Sequence, residues 1–546
     1  MFVTVQGAGG TGKSTVIHVI VSTLERMFPQ NKVTITCAPT GSASYNINGT
    51  TAHSQFGVNC TAPEKDVTQK KLDVMIGTMK YTIAIIMDER SMISASLLGA
   101  CEKHARQGLH NGMDKKKPWG GAPIVIFFGD DYQCGSVNKY NKGRGATFIF
   151  DENLEMNDLR NPSMKSEAAI NERNGFELFL KLSANVIEFK NMHRVNPGQQ
   201  HLSQILDNMR YKGGITTQQA QMLVDRNIDF SGKIDAVHKE KLRETATWIF
   251  PTCRQVTEKN FQMMQKIVSM ENPICNIFAK CLPTETNTIN KFVKSHFLPE
   301  TLKLASVHSS LCRGSRNALD RNLWAEKGLY NGAPIEILEP RFNKGENPNR
   351  GDEPVYILAY CPTYSGPAWQ QTCPKIVPLP IVKTLCSRQC CQIRQAPIQL
   401  AYARTGLKFQ GQQVGPAHTI KAIIADPGDI KHEARCPGYT YMICSRVSTL
   451  GNNPQESALF FTGINTTEER FTNLTNKRSG NNEKYLTVQR RDNWNRYIQQ
   501  QIQQTNIHFS EDQMRQLEQW VNHTTFDTDN LSRIIRYHAN NHNIDN

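Results

Sequence analysis

No apolar run in this chain of 546 residues approaches the eighteen or so that a membrane span needs, so neither a spanning helix nor a membrane partner is expected. The N-terminus, MFVTVQGAGG, lacks the basic leader and apolar stretch of a secretion signal, and lacks the Arg-rich amphipathic pattern of a transit peptide. No internal repeat with a fixed period is found, which sets aside a repeat array. Charged residues make up only 21% against 39% hydrophobic, a balance that excludes a disordered chain. Fifteen cysteines, an odd number, are scattered along the chain, several within apolar segments, as Cys37 and Cys444 are. That pattern reads as reduced, buried thiols in a reducing, intracellular compartment.

What is present points another way. The length suffices for three or four domains with sizeable cores. The formal net charge of +14 fits a polyanionic partner, although many basic proteins bind nothing in particular. Phe2–Val5, Val33–Cys37, Ile83–Met87 and Ile124–Phe128 are nearly continuous in apolar residues, as strands buried on both faces of a parallel sheet are. Between the first two, Val16, Ile17, Val19, Ile20 and Leu24 mark one face of a helix. Strand, helix, strand in succession predicts a doubly wound α/β domain. A second α/β region is expected from near Val186 to near Gly463. Its middle, from about Ser310 to Ala396, is rich in Gly, Pro and Tyr, carries the turn signal Gly328–Gly332, and reads as a β insertion. After Thr466 the chain turns polar, with glutamines clustered from Gln499 to Gln504. Ser510 and Gln513 form a capping box for a helix carrying Met514, Leu517, Trp520 and Val521.

Gly7-Ala8-Gly9-Gly10-Thr11-Gly12-Lys13-Ser14 matches the P-loop pattern throughout, with Thr15 next in the helix. Glycines let backbone N–H groups turn inward around phosphates, and the helix that follows points its positive end at the same anions. Lys13 would reach the β- and γ-phosphates of ATP, and Ser14 would offer its hydroxyl to Mg²⁺. The third apolar run ends in Asp88-Glu89. A carboxylate at a strand tip can hold the bridging Mg²⁺, which assigns Asp88, and its neighbour can orient or deprotonate water, which assigns Glu89. This pair favours water over a hydroxyl acceptor, hence an ATPase over a small-molecule kinase. Gln133, after the fourth run in Gly129-Asp130-Asp131-Tyr132-Gln133, is placed to sense the γ-phosphate.

Taken together, these segments resemble the PIF-type DNA helicases, eukaryotic relatives of the bacterial RecD motor. The resemblance continues through Thr40–Ala43 and Gly49–Phe56, Asp88–Leu98 with Ala105-Arg106, Gly120–Val137, Val186–Phe189 with Met192-His193-Arg194, Phe250–Thr252 with Asn260, Thr405–Val414, and Tyr441–Val447, in the family's order. It implies an α/β fold of two RecA-like parallel-sheet P-loop domains with ATP between them, and a small β-barrel-like insertion in the second. On that pattern residues 1–185 form the first domain, with a possible strand-separating wedge at 57–80. Residues 186–309 and 397–465 form the second, 310–396 the insertion, and 466–546 a polar C-terminal extension with a helix. Arg194 and Arg446 would come from the second domain to the γ-phosphate, a task for which a permanently charged, forked guanidinium suits. Thr40, His53, Ser54, Phe56, Thr405, Lys408 and Gln410 would contact the nucleic acid. Backbone phosphates and base stacking would supply affinity without sequence preference.

The resemblance also implies a motor moving 5′ to 3′ on single-stranded DNA and unwinding forked duplex, in repair, recombination, or replication of a mobile or viral element. The alternative is a nucleic-acid-binding ATPase-like module that no longer unwinds. RNA stays open as a partner, because stacking and phosphate contacts do not report the sugar. Oligomeric state stays open too, with a monomer admissible. The family implies nuclear residence in a eukaryote, with a mitochondrial or viral setting left open. Three departures stand out. Only Met1–Gln6 precede the loop, where the family has a segment whose glutamine reads the adenine; an incomplete product is one expectation, and Gln6 is not taken as the replacement. The third motif ends Gln133-Cys134-Gly135-Ser136 in place of Leu-Pro-Pro, which loosens a turn that proline would stiffen. In the fifth, Gly406, Leu407 and Phe409 replace the family's Ile-His and Ser, and a weaker grip on DNA is expected. Zinc stays open at Cys386, Cys390 and Cys391, although their spacing is not that of a standard finger and no His pair follows.

Overall fold

In a computed structural model, Phe2–Gly7 (β1), Thr34–Ala38 (β2), Thr50–Thr51 (β3), Ala84–Met87 (β4), Ile124–Gly129 (β5) and Val186–Phe189 (β6) form one six-stranded sheet. The strand order is β3-β2-β4-β5-β1-β6, and every pairing is parallel. The structure describes residues 1–59, 62–108, 117–137, 146–147, 149, 166–211, 214–283, 308–346, 352–385, 391–474 and 483–508.

Alternation along each strand sends neighbouring side chains to opposite faces. Ile85, Met87, Val125 and Phe127 pack one way, with Leu97, Leu98 and Cys101 of the helix Ala95–Gly108 and Phe179 and Leu182 of the helix Glu167–Leu182. Val5, Ile86, Ile126 and Phe128 pack the other way, with Ile17 of the helix Lys13–Met27 (α1) and Ala43 of the helix Gly41–Asn46 (α2). Both faces are therefore covered, which is why these runs contain almost no polar residue. Each fully buried Ile or Phe contributes roughly 1.5–3 kcal/mol.

The chain falls into two compact units: Met1–Asp235 with Gln410–Lys421 and Asp426–Asn546, and Ala236–Phe409 with Ala422–Ala425. Residues from Val186 onward, read from sequence as opening the second domain, begin instead as β6 on the edge of the first sheet. Val-Ile-Glu-Phe is an edge-strand sequence, with only Val186 fully buried. Thr4 N–H donates to the Asn185 carbonyl, and Asn185 Nδ2 to the Phe2 carbonyl, fixing this edge.

Within the second unit Ala403–Thr405, Thr247–Phe250 and Ile423–Ala425 pair in parallel, with Thr247–Phe250 central. Antiparallel strands then form sheets of five, three and two strands from Cys275 to Leu400. This β region starts ahead of Ser310, because Cys275–Phe278 pairs with His308–Leu311. Its alternation is only four residues long, with Cys275 and Ile277 buried, and is hard to see in sequence.

The polar extension contains a 26-residue helix, Glu483–His508. Trp494, Ile498 and Ile502 join the core of the first unit at every fourth position, a stripe hidden among glutamines. The helix expected after Ser510, Cys386 and Cys390 lie outside the described residues. Among the described residues no three His, Cys, Asp or Glu side chains group to hold a metal, and no helix is long and apolar enough to cross a membrane.

Candidate nucleotide site

β1 runs out at Gly7 and α1 begins at Lys13, so the P-loop is the turn between a buried strand and a helix. Gly10 and Gly12 hold φ of 92° and 86°, in the left-handed region that favours glycine. At Gly10 a side chain is excluded twice over, since a Cβ would lie 2.3 Å from Arg194 Cβ. Lys13 Nζ donates to the carbonyls of Gly7 at 2.7 Å and Ala8 at 2.8 Å, folded back over the loop. Burial lowers its pKa, while the charges of Asp130, Asp88 and Glu89 oppose that shift. Ser14 is half-buried and Thr15 exposed in the first turn of α1, which carries no acidic residue and no side-chain cap. Its first N–H groups are thus left for an anion.

β4 ends at Met87 and delivers Asp88, buried, and Glu89. Glu89 sits at φ 52°, a left-handed conformation that costs a non-glycine residue energy and re-aims its carboxylate. Its N–H donates to Asp88 Oδ1 at 2.8 Å. Burial first, then the neighbouring Glu89 charge, push the Asp88 carboxyl up to about 7, against the pull of Lys13, the Glu89 N–H and Arg446. A divalent cation beside Asp88 would reverse that shift, so the donor set fits Mg²⁺ held by Asp88 and Ser14.

β5 ends at Gly129 and delivers Asp130 and Gln133. Arg446 Nη2 donates to Gln133 Oε1 at 2.8 Å, and Gln133 Nε2 to Asp130 Oδ2 at 3.2 Å. Asp130 also accepts from Tyr441 OH at 2.7 Å and from the Tyr132 N–H at 3.2 Å, and pairs with Arg210 at 3.5 Å. Asp130 thus orients the γ-phosphate candidate Gln133 from below. Arg194 Nη1 donates to the Ser445 carbonyl at 2.7 Å, and the N–H groups of His193 and Arg194 donate to the Gly10 carbonyl. A Cβ on Gly9 would lie 3.1 Å from Arg194 Nη1 and 3.2 Å from Arg446 Nη2, so both guanidiniums border the loop. Burial and the like charge of Arg446 lower the Arg194 pKa to about 9. Two crowded guanidiniums, a lysine and a Gly-lined cradle form a donor set that fits a polyphosphate.

Lys13, Asp88, Glu89, Gln133, Arg194 and Arg446 all belong to the first compact unit. The resemblance puts the two arginines on a second domain; here main-chain bonds to Gly10 and the Gln133 contact tie them to the unit that carries the P-loop.

The nucleic-acid candidates divide. Thr40 caps α2, accepting the Ala43 N–H at 3.3 Å, and Ser54 is exposed beside half-buried His53. Thr405 is half-buried and Lys408 exposed in the second unit, with Lys408 Nζ donating to Gln399 Oε1 at 3.3 Å. Phe56 is a core residue instead, fully buried against Trp119 at a ring distance of 6.1 Å, with no face left for a base. Gln410 is also buried, and its Nε2 donates to Glu89 Oε2 at 3.2 Å, so its side chain is engaged with the candidate general base rather than open to a strand. Asp130, Tyr441 and Arg210 escape the sequence reading as site residues. The Gly129-Asp130-Asp131 acid pair at a strand tip is the local signal of Asp130, and Tyr441 opens the Tyr441–Val447 motif.

Residues 1–152 match the family model described as PIF1-like helicase. The ATP-dependent DNA helicase RRM3 of Saccharomyces cerevisiae is 30% identical over 151 residues, 27% of this chain and 20% of that protein. The ATP-dependent DNA helicase PIF1 of the same species is 32% identical over 148 residues, 27% of this chain and 16% of that protein. These matches therefore span a fifth or less of the relatives' length. Among solved structures, the Pif1 helicase of Candida albicans aligns with a TM-score of 0.58 at 18% identity, over 91% of this chain and 96% of that one. A Bacteroides Pif1 bound to single-stranded DNA aligns at 0.55 and 20% identity, over 86% of this chain and 90% of that one. These alignments extend the likeness in fold well beyond the first 152 residues, and over those 152 residues the chain is similar in sequence to the PIF1-like helicases.

Proposed function

We propose that this chain is an ATP-dependent DNA helicase that moves 5′ to 3′ along single-stranded DNA and opens forked duplex. The observation that carries it is the convergence of Lys13, Asp88, Glu89, Gln133, Arg194 and Arg446 around one glycine-lined loop. ATP supplies the phosphoanhydride bond. Lys13 would leave the Gly7 and Ala8 carbonyls for the phosphates, Asp88 and Ser14 would hold Mg²⁺, and Glu89 would orient the attacking water. Arg194 and Arg446 offset charge on the γ-phosphate, with Gln133 relaying its presence to Asp130. The direction of travel, the DNA substrate and a setting in repair, recombination or element replication rest on the family resemblance. The relatives named above are ATP-dependent DNA helicases, and a neighbour in fold binds single-stranded DNA.

ATP hydrolysis measured with and without single-stranded DNA tests this, with Lys13→Ala as control. Turnover that rises with DNA and vanishes in the variant is expected, followed by unwinding of substrates with a 5′ tail only. DNA binding without stimulated hydrolysis would favour a binding module instead.

A further inference from the structure

A buried ion pair lies beside the nucleotide site. Asp131 lies between Asp130 and Gln133 on the β5 turn, and its carboxylate is engaged by Arg90 and Trp494. It accepts a two-pronged bond from Arg90, with Nε on Oδ1 at 2.9 Å and Nη2 on Oδ2. Both residues are about 1% exposed, so this is an ion pair fully withdrawn from water. Arg90 immediately follows Glu89, and its guanidinium lies over the Phe179 ring at 5.2 Å. The end of β5 is pressed on it, since a Cβ on Gly129 would lie 2.7 Å from Arg90 Cγ. The pair thus clamps the β4 tip, which bears Asp88 and Glu89, to the β5 tip, which bears Gln133.

A third group completes the clamp from far along the chain. Trp494 of the helix Glu483–His508 donates from Nε1 to Asp131 Oδ2 at 2.9 Å. Its ring lies among Phe179 at 5.0 Å and Tyr497 at 5.2 Å. One turn and two turns on, Ile498 and Ile502 enter the same core, and Thr505 Oγ1 accepts the Val186 N–H at 3.0 Å. Packing alone would be met by any large apolar side chain at 494. An indole N–H aimed at a buried, charged oxygen is a specific donor, and charge-assisted bonds out of water are the strong ones.

We propose that Trp494 is a positioning residue of the nucleotide site: through Asp131 and Arg90, the C-terminal helix fixes the turn on which Gln133 meets Arg446. This rests on the nucleotide-site reading above. Binding of nucleotide moves Arg446 and Gln133, the strain passes to Asp131, and the helix Glu483–His508 responds. The extension is thereby part of the motor.

Trp494→Phe keeps an aromatic ring between Phe179 and Tyr497 and removes only the indole donor. Its kcat for DNA-stimulated ATP hydrolysis is expected to fall about fivefold or more, with KM for ATP within about twofold. Trp369→Phe, at an exposed position of the second unit, serves as the control for loss of a tryptophan and leaves both constants unchanged. An unchanged kcat in a folded Trp494→Phe protein would overturn the proposal. Should that variant not fold, hydrogen exchange of the unaltered chain decides. Peptides spanning 490–502 should exchange more slowly when Mg²⁺ and a non-hydrolysable ATP analogue are added. Slowing confined to Gly7–Ser14 would leave the nucleotide site standing and overturn the role of Trp494. No slowing at Gly7–Ser14 would sink the nucleotide site itself, and the proposal with it.

Discussion

Arg446 donates to Gln133 across 313 residues of sequence, Nη2 to Oε1 at 2.8 Å, and both side chains are about 2% exposed. A buried guanidinium held by a neutral amide keeps its charge uncompensated, ready for an anion. The two residues then act as one device. Arg446→Ala should lower kcat for ATP hydrolysis by about a thousandfold, the scale of an arginine at a transferring phosphoryl group. Gln133→Ala should cost less, and the double variant should be no worse than Arg446→Ala alone. Single-turnover rates of the three variants measure this, and strict additivity would show that the contact carries no coupling.

Asp88 is a stability liability as well as the candidate metal ligand. Its carboxyl titrates near 7 in the fold, against 3.8 as the ordinary value. A carboxyl raised on folding binds its proton more tightly in the native state. The native state therefore loses stability as pH rises from about 4 to about 7. Asp88→Asn keeps an acceptor for the Glu89 N–H and removes that titration. It should raise stability by about 1–3 kcal/mol at pH 8 without metal, have little effect at pH 4, and abolish hydrolysis. Denaturant unfolding at the two pH values checks it; destabilisation at pH 8 would show that the carboxylate is compensated in the fold.

The parallel sheet was legible because strands covered on both faces contain little except apolar residues, as Ile85, Ile86 and Met87 do. The P-loop was legible because each glycine answers a local backbone demand, as Gly10 does. Side-chain partners were not. Nothing near Asp130 in sequence announces Tyr441 or Arg210, which arrive from distant segments. Phe56 illustrates the opposite failure. A motif places an aromatic beside candidate strand contacts, but only its burial against Trp119 shows which way the ring points.

Phe56 accordingly yields a prediction about stability. Truncating a fully buried phenylalanine leaves a cavity in the core shared by Trp119 and Phe127. Phe56→Ala should cost about 3–5 kcal/mol in unfolding free energy, while the folded fraction binds single-stranded DNA with unaltered affinity. Thermal unfolding and a DNA titration below the melting temperature separate the two effects. A large loss of affinity in protein that remains fully folded would restore the ring as a DNA contact.

Gln410 is the more consequential reassignment, because it joins the fifth-motif segment to the candidate catalytic carboxylate of Glu89. Its Nε2 holds Glu89 Oε2, its carbonyl accepts from Ser42 Oγ at 3.4 Å, and Asn46 Nδ2 holds the next carbonyl, Gly411, at 2.7 Å. Ser42 and Asn46 belong to α2, which Thr40 caps. Movement of α2 against a bound strand would therefore shift Gln410 and the carboxylate it orients. Gln410→Ala should lower DNA-stimulated hydrolysis about tenfold while leaving DNA affinity within about twofold, since only an orienting bond to the base is lost. Gln410→Glu should be worse, because a second carboxylate would face Glu89 in a buried site. Hydrolysis rates at saturating DNA, set beside DNA binding measured without nucleotide, distinguish this from direct strand contact, in which affinity would fall and the rate at saturation would recover.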